Sequence, residues 1–361
     1  IAGMFSILKE ANIKCNVYTS PHIQKINERF VFNNDELNDD ELAKLFQEVE
    51  EINENQTATI FEMLTACFLY KAAQYPDNIC IVESGLFHKY DGTNVFKKNL
   101  ASVVCAISND HIDWLPENDR TVERIVFEKT SSLLNSNIIV AKQRDKETME
   151  CIKKTISKNQ SNKYFFNEDF SFTNEENGYW HYEDKFGGLK LQTPNVLGQF
   201  QLENISTAIA TLRTLELGIS DNHIKKGITK IKSVARLQEI KSGKLKDLVK
   251  NNKLIVDGSH NEHGAQVLNE YLETLDCNKH IICSMMSNKD HEKFISYFKK
   301  ISSLTVTEMS TQPNAIKGKD LLEKFKNIPN VYYQENIEQA IRSVPLKEGD
   351  LVIVTGSLYF A

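Results

Sequence analysis

The amino-acid sequence predicts an α/β protein in which buried parallel strands alternate with amphipathic helices. Two observations predict this class. Residues 79–82 and 102–107 are short apolar runs rich in β-branched residues, which are typical of buried parallel strands. Between such runs lie longer segments with apolar residues at helical spacing, of which 59–73 is the clearest. The alternation continues to residue 354, so we expect parallel sheets with helices on both faces.

The first half of the chain contains most of the longer predicted helices. We expect an N-terminal helix, a strand at 15–18, helices at 38–54 and 59–73, strands at 79–82 and 102–107, a helix at 122–134, a strand at 138–141 and a helix at 202–217 ending at Gly218. Residues 164–191 differ, because they are aromatic and polar with a turn at Gly187-Gly188. This pattern predicts an antiparallel hairpin or meander, and the lack of basic residues argues against stacking on RNA.

The second half repeats shorter units. We expect strands at 253–256, 281–283, 304–307, 331–333 and 351–354, with helices at 264–275, 291–300, 318–325 and 337–344. A chain of 361 residues usually forms two domains. The boundary is expected near 234–245, which gives domains at 1–234 and 235–361.

Composition excludes several classes of protein. A 41% hydrophobic and 25% charged composition is that of a globular protein, and a net charge of -6 argues against a nucleic-acid binder. No apolar stretch reaches the roughly 20 residues that cross a bilayer. Seven dispersed cysteines without a CxxC pair indicate reduced thiols. We therefore expect a cytoplasmic protein with no membrane or nucleic-acid partner, and a monomer by default.

Polar residues follow three predicted strands. Ser20 follows strand 15–18, Glu83 follows 79–82, and His111 comes after 102–107. The carboxyl ends of parallel strands are where ligands bind in open α/β sheets. Each residue alone would be an ordinary cap or surface group, but together they suit Mg²⁺, which takes few protein ligands and completes its shell with water and phosphate.

Three further segments each have a functional interpretation and an ordinary structural one. The loop from Asp257 to Asn261, with His260, follows a strand and precedes a helix, so a phosphate or metal site and a turn with an N-cap are equally good interpretations. Arg236 could clamp a phosphate or be a surface arginine. Lys129 lies in a predicted helix, where a lysine is usually on the solvated face.

Taken in order, the motifs resemble the folylpolyglutamate synthase/dihydrofolate synthase family of the Mur ligase superfamily. The resemblance spans essentially the whole chain, and the order of the motifs makes it specific. The matching stretches are 18–22 (YTSPH), 27–29 (NER), 59–62 (TIFE), 83–86 (ESGL), 91–94 (DGTN), 110–111 (DH), 128–129 (EK), 198–204 (GQFQLEN), 235–237 (ARL), 257–261 (DGSHN), 288–290 (NKD) and 355–359 (TGSLY).

The resemblance implies a P-loop-NTPase-like central domain that binds ATP and folate, followed by a Rossmann-like C-terminal domain. It implies that ATP phosphorylates a pterin-linked carboxylate, which the amino group of L-glutamate then attacks. It further implies ATP and Mg²⁺ as cofactors, and a monovalent cation such as K⁺ is compatible with it. By resemblance, metal-binding positions are Ser20, Glu83 and His111, nucleotide-contacting positions are Asn204, Arg236 and Asp257, and the catalytic candidates are His260 and Lys129, which matches a carbamylated lysine.

The sequence also departs from the family pattern. The family opens with a glycine-rich P-loop, whereas this chain starts at Ile1 and contains no GxxxxGK[ST] motif, so we expect it to be truncated and inactive as it stands. Residues 87–90 (Phe-His-Lys-Tyr) replace a glycine-rich stretch, and Phe200 replaces a histidine. The alternatives are a degenerate remnant that binds nucleotide or folate without catalysis, and another Mur-type ligase.

Overall fold

The computed structural model describes residues 1–110 and 112–361, which divide into two compact units. The first unit comprises Ile1–Asn195 and Gln201–Lys232, and the second comprises Val196–Phe200 and Ser233–Ala361. Both contain parallel strands and helices in alternation, so the α/β class predicted from the sequence is confirmed. Within the described part of the chain, no helix is both long and apolar enough to cross a membrane.

The described residues of the first unit form ten strands in three sheets. They are β1 Cys15–Tyr18, β2 Phe30–Phe32, β3 Asp35–Glu36, β4 Ile79–Val82, β5 Ala101–Val104, β6 Asn137–Val140, β7 Asn162–Phe165, β8 Phe170–Asn174, β9 Tyr179–Asp184 and β10 Leu189–Gln192. The sheet orders are β3-β2-β1-β4, β5-β6-β7 and β10-β9-β8. The β1–β4 pair is parallel, as is the whole of β5-β6-β7. Among the described residues the parallel strands of this unit therefore form two separate ladders.

The helices of the first unit are α1 Ala2–Glu10, α2 Asp39–Asn53, α3 Ile60–Ala72, α4 Val122–Thr130, α5 Lys146–Thr155, α6 Gln199–Thr214 and α7 Asp221–Gly227. Helices α2 and α3 begin where capping boxes predict, since Asn38 and Thr59 each accept the backbone N–H of a glutamate three residues later. Helix α3 packs its apolar face on Tyr18 and Phe30 of the first sheet. The predicted end of α6 at Gly218 is wrong, because the helix stops at Thr214.

The aromatic segment forms the predicted antiparallel meander, but only from Phe170 onward. Tyr164 and Phe165, expected to start it, instead belong to β7, which extends the parallel ladder beside β6. Arg213 of α6 fixes the meander, with its guanidinium 3.1 Å from an Asp184 carboxylate oxygen and donating to the carbonyls of Phe186 and Gly187.

The second unit is built on one six-stranded sheet of order β11-β12-β16-β13-β14-β15, in which only the β11–β12 pair is antiparallel. Its strands are β11 Gln238–Glu239, β12 Lys253–Val256, β13 Lys279–Cys283, β14 Ser303–Thr307, β15 Val331–Gln334 and β16 Leu351–Thr355. Its helices are α8 Lys244–Leu248, α9 Glu262–Glu273, α10 His291–Ile295, α11 Gly318–Lys324 and α12 Ile337–Ser343. Strands β13, β14 and β16 are almost wholly buried, as their apolar runs predict.

Candidate active site

Ser20 and Glu83 lie together at the carboxyl ends of β1 and β4. These strands pair in parallel, with Tyr18 opposite Val82, so the residues that follow them emerge at one edge. The backbone N–H of Ser20 donates to Oε2 of Glu83 at 2.8 Å, and both side chains are half-buried. The residue that carries the Ser20 hydroxyl thus lies beside the Glu83 carboxylate, and hydroxyl and carboxylate oxygens are the kind of donor that Mg²⁺ prefers.

The segment after Ser20 is held by Glu28, a residue whose role the sequence pattern did not reveal. Its carboxylate accepts the backbone N–H groups of Ile23, Gln24 and Lys25 at 2.7–2.9 Å. Burial works to raise the pKa of Glu28, but these three N–H groups hold it below its usual value. Arg29 donates from Nε to Nδ1 of His22 at 3.0 Å, and burial together with that guanidinium lowers the pKa of His22.

The loop after Glu83 is organised by Asp91. One carboxylate oxygen accepts the N–H groups of Gly85 at 2.9 Å and Leu86 at 3.1 Å. The other accepts the N–H of Thr93 at 3.0 Å and its hydroxyl at 2.6 Å. Gly85 suits this close packing, because a Cβ at this position would lie 2.7 Å from the far end of the Phe61 ring, which would have to shift. Asp91 thus fixes the backbone directly after the candidate metal carboxylate.

Lys129 is directed at this loop and is not on a solvated helix face. Its Nζ donates to the Leu86 carbonyl at 2.7 Å and lies 5.5 Å from the centroid of the Phe87 ring. Burial lowers the pKa of the Lys129 ammonium, an effect that Asp110, Cys105 and Asp91 oppose. Position 129 therefore holds a half-buried cation beside the loop that carries Glu83.

The third predicted metal position, His111, lies outside the described residues. Asp110 precedes it, and β5, the strand before both, ends at Val104 in the ladder with β6 and β7. Among residues 1–110 and 112–361 there is no cluster of three or more His, Cys, Asp or Glu side chains able to hold a metal. Ser20 and Glu83 still fit a Mg²⁺ ion that keeps most of its coordination positions for water and phosphate oxygens.

Asn204 lies on α6, where its side chain is exposed. The structure gives it no contact with Ser20, Glu83 or Lys129 among the described residues. Its neighbour Glu203 forms an ion pair with Lys142, with Nζ 2.7 Å from Oε1. An exposed amide on a rigid helix is available to a ligand, which is compatible with the nucleotide contact that the resemblance implies.

In the second unit, Asp257 is a buried carboxylate at the carboxyl end of β12. Its Oδ2 accepts the N–H of Leu237 at 2.9 Å, and its Oδ1 accepts the N–H of Ser259 at 3.0 Å. Asn261 caps α9 by accepting the N–H of Gly264 at 2.8 Å. The two interpretations of this loop are therefore not exclusive: it is a turn with an N-cap, and it also holds polar groups at the ligand-binding edge of a parallel sheet.

Arg236 is brought to the same loop by its neighbours. The Ala235 carbonyl accepts the N–H of Gly258 at 2.8 Å, and the N–H of Leu237 reaches Asp257. Ala235 and Leu237 are buried, whereas Arg236 between them is exposed. The contacts of Ala235 and Leu237 thus hold the backbone at residue 236 beside the Asp257 loop.

His260 is half-buried in the loop, with Nδ1 2.9 Å from the Gly258 carbonyl. That bond places the hydrogen on Nδ1 and leaves Nε2 as the acceptor in a neutral ring. The C-terminal motif packs here too, because Gly356 donates its N–H to the Ser259 carbonyl at 2.9 Å. A Cβ on Gly258 would lie 2.1 Å from Leu358, so this glycine allows the close packing.

The chain is similar to known proteins over most of its length. Residues 243–358 match the family model of the Mur ligase glutamate ligase domain. The chain is 28% identical to the dihydrofolate synthase/folylpolyglutamate synthase of Bacillus subtilis, covering 100% of this chain and 85% of that protein. It is 27% identical to the protein of the same name from Haemophilus influenzae, covering 98% and 82%.

A solved structure is similar over the same extent. Escherichia coli FolC in complex with DHPP and ADP superposes with a TM-score of 0.86 at 26% identity, covering 99% of this chain and 83% of that one. The fold, the domain match and the full-length similarity agree with one another. The chain is therefore similar over essentially its whole length to the dihydrofolate synthase/folylpolyglutamate synthases, and its residues 243–358 match the Mur ligase glutamate ligase domain.

Proposed function

We propose that this protein is an ATP-dependent ligase that joins L-glutamate to dihydropteroate or to a tetrahydrofolate (poly)glutamate. The observation that carries the proposal is its similarity, over essentially its whole length, to proteins named as dihydrofolate synthase/folylpolyglutamate synthases. The E. coli relative with DHPP and ADP bound supports a pterin-type acid and a nucleotide as ligands. The same similarity favours this folate branch over another Mur-type ligase.

The proposed reaction has two steps. A carboxylate oxygen of the pterin substrate attacks the γ-phosphorus of ATP, and ADP leaves. The amine of glutamate then attacks the carbonyl carbon of the acyl phosphate, inorganic phosphate leaves with the bridging oxygen, and the amine loses a proton. The protein contributes by positioning both substrates, excluding water and meeting the negative charge that develops on phosphate.

The residues of the first unit have distinct proposed roles. Ser20 and Glu83, with His111, would hold Mg²⁺, which when bound neutralises phosphate charge. Lys129 acts from beside the Glu83 loop, either as a cation or, after reaction with CO₂, as a carbamate. Burial lowers its pKa, which favours the neutral amine that reacts with CO₂, whereas its hydrogen bond to the Leu86 carbonyl supports the cation. A monovalent cation such as K⁺ is a further proposed component.

The second unit is proposed to contribute to nucleotide binding. Arg236 would pair with phosphate through its fork of donors, and Asp257 would hold the loop and contact the nucleotide, with Asn204 contributing from α6. His260 would act near the phosphates through Nε2. We further propose that residues 1–234 form the ATPase and folate-binding domain and that 235–361 form the C-terminal domain.

The experiment measures glutamate-dependent ADP release with dihydropteroate and with a reduced folate as acceptors. Because the 361 residues contain no GxxxxGK[ST] motif, we expect negligible release from this polypeptide alone. We expect release when a GTNGKGS-like segment is placed before Ile1. Absence of release with either acceptor in that extended protein would refute the ligase proposal.

The replacement of a glycine-rich stretch by residues 87–90 (Phe-His-Lys-Tyr) favours a second candidate, a non-catalytic remnant that retains ligand binding. Calorimetric titration separates the two. A remnant would bind ADP or folate but release no ADP from ATP even with the glycine-rich segment restored, whereas the ligase would do both.

A further inference from the structure

The contacts of Lys129 differ in kind from those of a solvated lysine. Nζ lies 2.7 Å from the Leu86 carbonyl oxygen and 5.5 Å from the centre of the Phe87 ring. A carbonyl oxygen and the face of an aromatic ring both attract an ammonium, and neither attracts a carbamate. Asp91 and Asp110 add negative charge in the surroundings. These contacts, together with Cys105, favour the charged amine and oppose burial, which favours the neutral one.

The groups that hold the ammonium are themselves fixed. Asp91 binds the N–H groups of Gly85 and Leu86, which sets the backbone that presents the Leu86 carbonyl. The carbonyl of Glu128 accepts the N–H groups of His88 at 3.1 Å and Lys89 at 3.0 Å, which ties the far side of the loop to α4. Phe87 thus lies between two anchored points, and its ring is held close to the helix that carries Lys129.

From this geometry we propose that Phe87 is a positioning residue that clamps the Lys129 ammonium against the Leu86 carbonyl and so resists its conversion to a neutral, reactive amine. The proposal rests on the proposed role of Lys129 in the ligase. Phe87 would then set how readily Lys129 reacts with CO₂. In that reaction an N–C bond forms between the neutral amine and CO₂, and one proton is released.

The test measures the reactivity of Lys129 and needs no catalytic turnover. Cyanate adds to neutral amines only, and mass spectrometry of peptides gives the rate at each lysine. The parent chain is compared with Phe87→Leu, which removes the aromatic ring while keeping an apolar side chain. It is also compared with Phe87→Tyr, which keeps the aromatic ring. Phe165→Leu is the matched control, because the Phe165 ring lies 5.2 Å from Nζ of Lys153 and not beside Lys129.

We expect Phe87→Leu to raise the rate at Lys129 about five-fold near pH 7, while Phe87→Tyr and Phe165→Leu leave it within about two-fold of the parent. The difference should vanish near pH 11, where the amine is neutral in every variant. The rate at Lys153 in Phe87→Leu serves as an internal reference for general unfolding. If that variant does not fold, Phe87→Met replaces it.

Three results would overturn the proposal: equal Lys129 rates in Phe87→Leu and the parent, an equal increase in Phe87→Tyr, or a difference that persists at high pH. The last would mean that the ring only limits access of the reagent. None of these results bears on ADP release, so a failure of this proposal is distinguishable from a failure of the ligase assignment.

Discussion

Replacing Asp91 with asparagine tests whether one carboxylate holds the loop between Glu83 and α4. The structure gives this carboxylate four hydrogen bonds, from the N–H groups of Gly85, Leu86 and Thr93 and from the Thr93 hydroxyl. Asparagine keeps a single carbonyl oxygen and presents an NH₂ group where the second oxygen stood, so one set of donors loses its acceptor.

The expected cost follows from these bonds. Hydrogen bonds to a charged acceptor contribute roughly 1.5–3 kcal/mol each, and those of a half-buried loop fall at the lower end because water partly replaces them. Losing two acceptor contacts should therefore reduce the free energy of unfolding by about 3 kcal/mol. For a unit of this size that corresponds to a fall in Tm of roughly 6–12 °C.

Tryptophan fluorescence is a specific assay, because the only two tryptophans of the chain, Trp114 and Trp180, both lie in the first unit. Urea and thermal unfolding of Asp91→Asn are compared with Asp77→Asn, which changes an exposed aspartate before β4. We expect the control to match the parent within about 0.5 kcal/mol. An Asp91→Asn protein as stable as the control would refute the idea that this carboxylate organises the loop.

Three further outcomes are expected. Lys129→Ala should reduce glutamate-dependent ADP release in the extended, active protein, with partial recovery by added acetate or formate if the carbamate is the working form; parent-level activity would remove Lys129 from the site. Asp350→Asn should destabilise the second unit by about 1–3 kcal/mol at pH 7, measured by circular dichroism, because Asp350 is buried and accepts bonds from Asn278 and the Lys347 N–H. Burial acts to raise the pKa of Asp350, but its hydrogen bonds hold that pKa below its usual value. The carboxylate therefore stabilises the folded protein above about pH 4, and the difference in free energy of unfolding between parent and variant should shrink as the pH falls further. A difference that does not change with pH would contradict this. Gly356→Ala should lower the free energy of unfolding by at least about 3 kcal/mol, because a Cβ there would lie 2.4 Å from the Ser284 carbonyl oxygen. Gly349 also has positive φ but has open space around it, so Gly349→Ala should lower it by only about 1–2 kcal/mol. Equal losses of stability would show that the close approach is unimportant.

The elements that sequence reasoning placed best are those in which local pattern and tertiary environment agree. Strands Cys15–Tyr18, Ile79–Val82 and Lys253–Val256 were predicted with the bounds that the structure has, because their apolar, often β-branched residues pair with neighbouring strands of the same kind. The starts of α2 and α3 were fixed by local capping chemistry, which needs no knowledge of the rest of the fold.

Errors arose where tertiary packing decides the structure. Helix α6 begins at Gln199, three residues before its predicted start, although residues 196–200 pack with the second unit. Gly218 was read as the residue that ends α6, yet the chain leaves the helix at Thr214. Helix α10 ends at Ile295, five residues short, with Phe298 still buried in the core. Periodicity cannot distinguish a continuing helix from a packed turn with the same apolar spacing.

The candidate site likewise contains features that the sequence predicts and features that only the packing reveals. The pairing of Ser20 with Glu83 could be predicted, because residues that follow two neighbouring parallel strands emerge at one edge. The loop-holding roles of Asp91 and Glu28 could not, because their partners are backbone N–H groups, which every sequence supplies. Lys129 was assigned to a solvated face on local pattern alone, and only the packing of α4 against the loop shows its contact with the Leu86 carbonyl.

The ligase assignment is tested most directly by following one oxygen atom. Dihydropteroate or folate labelled with ¹⁸O in the reacting carboxylate is incubated with ATP, glutamate and the protein carrying the restored glycine-rich segment, and the inorganic phosphate is analysed by mass spectrometry. Acyl-phosphate chemistry transfers one labelled oxygen to each phosphate released. Phosphate that carries no label, released at the same rate with and without glutamate, would show that the protein hydrolyses ATP without activating a carboxylate.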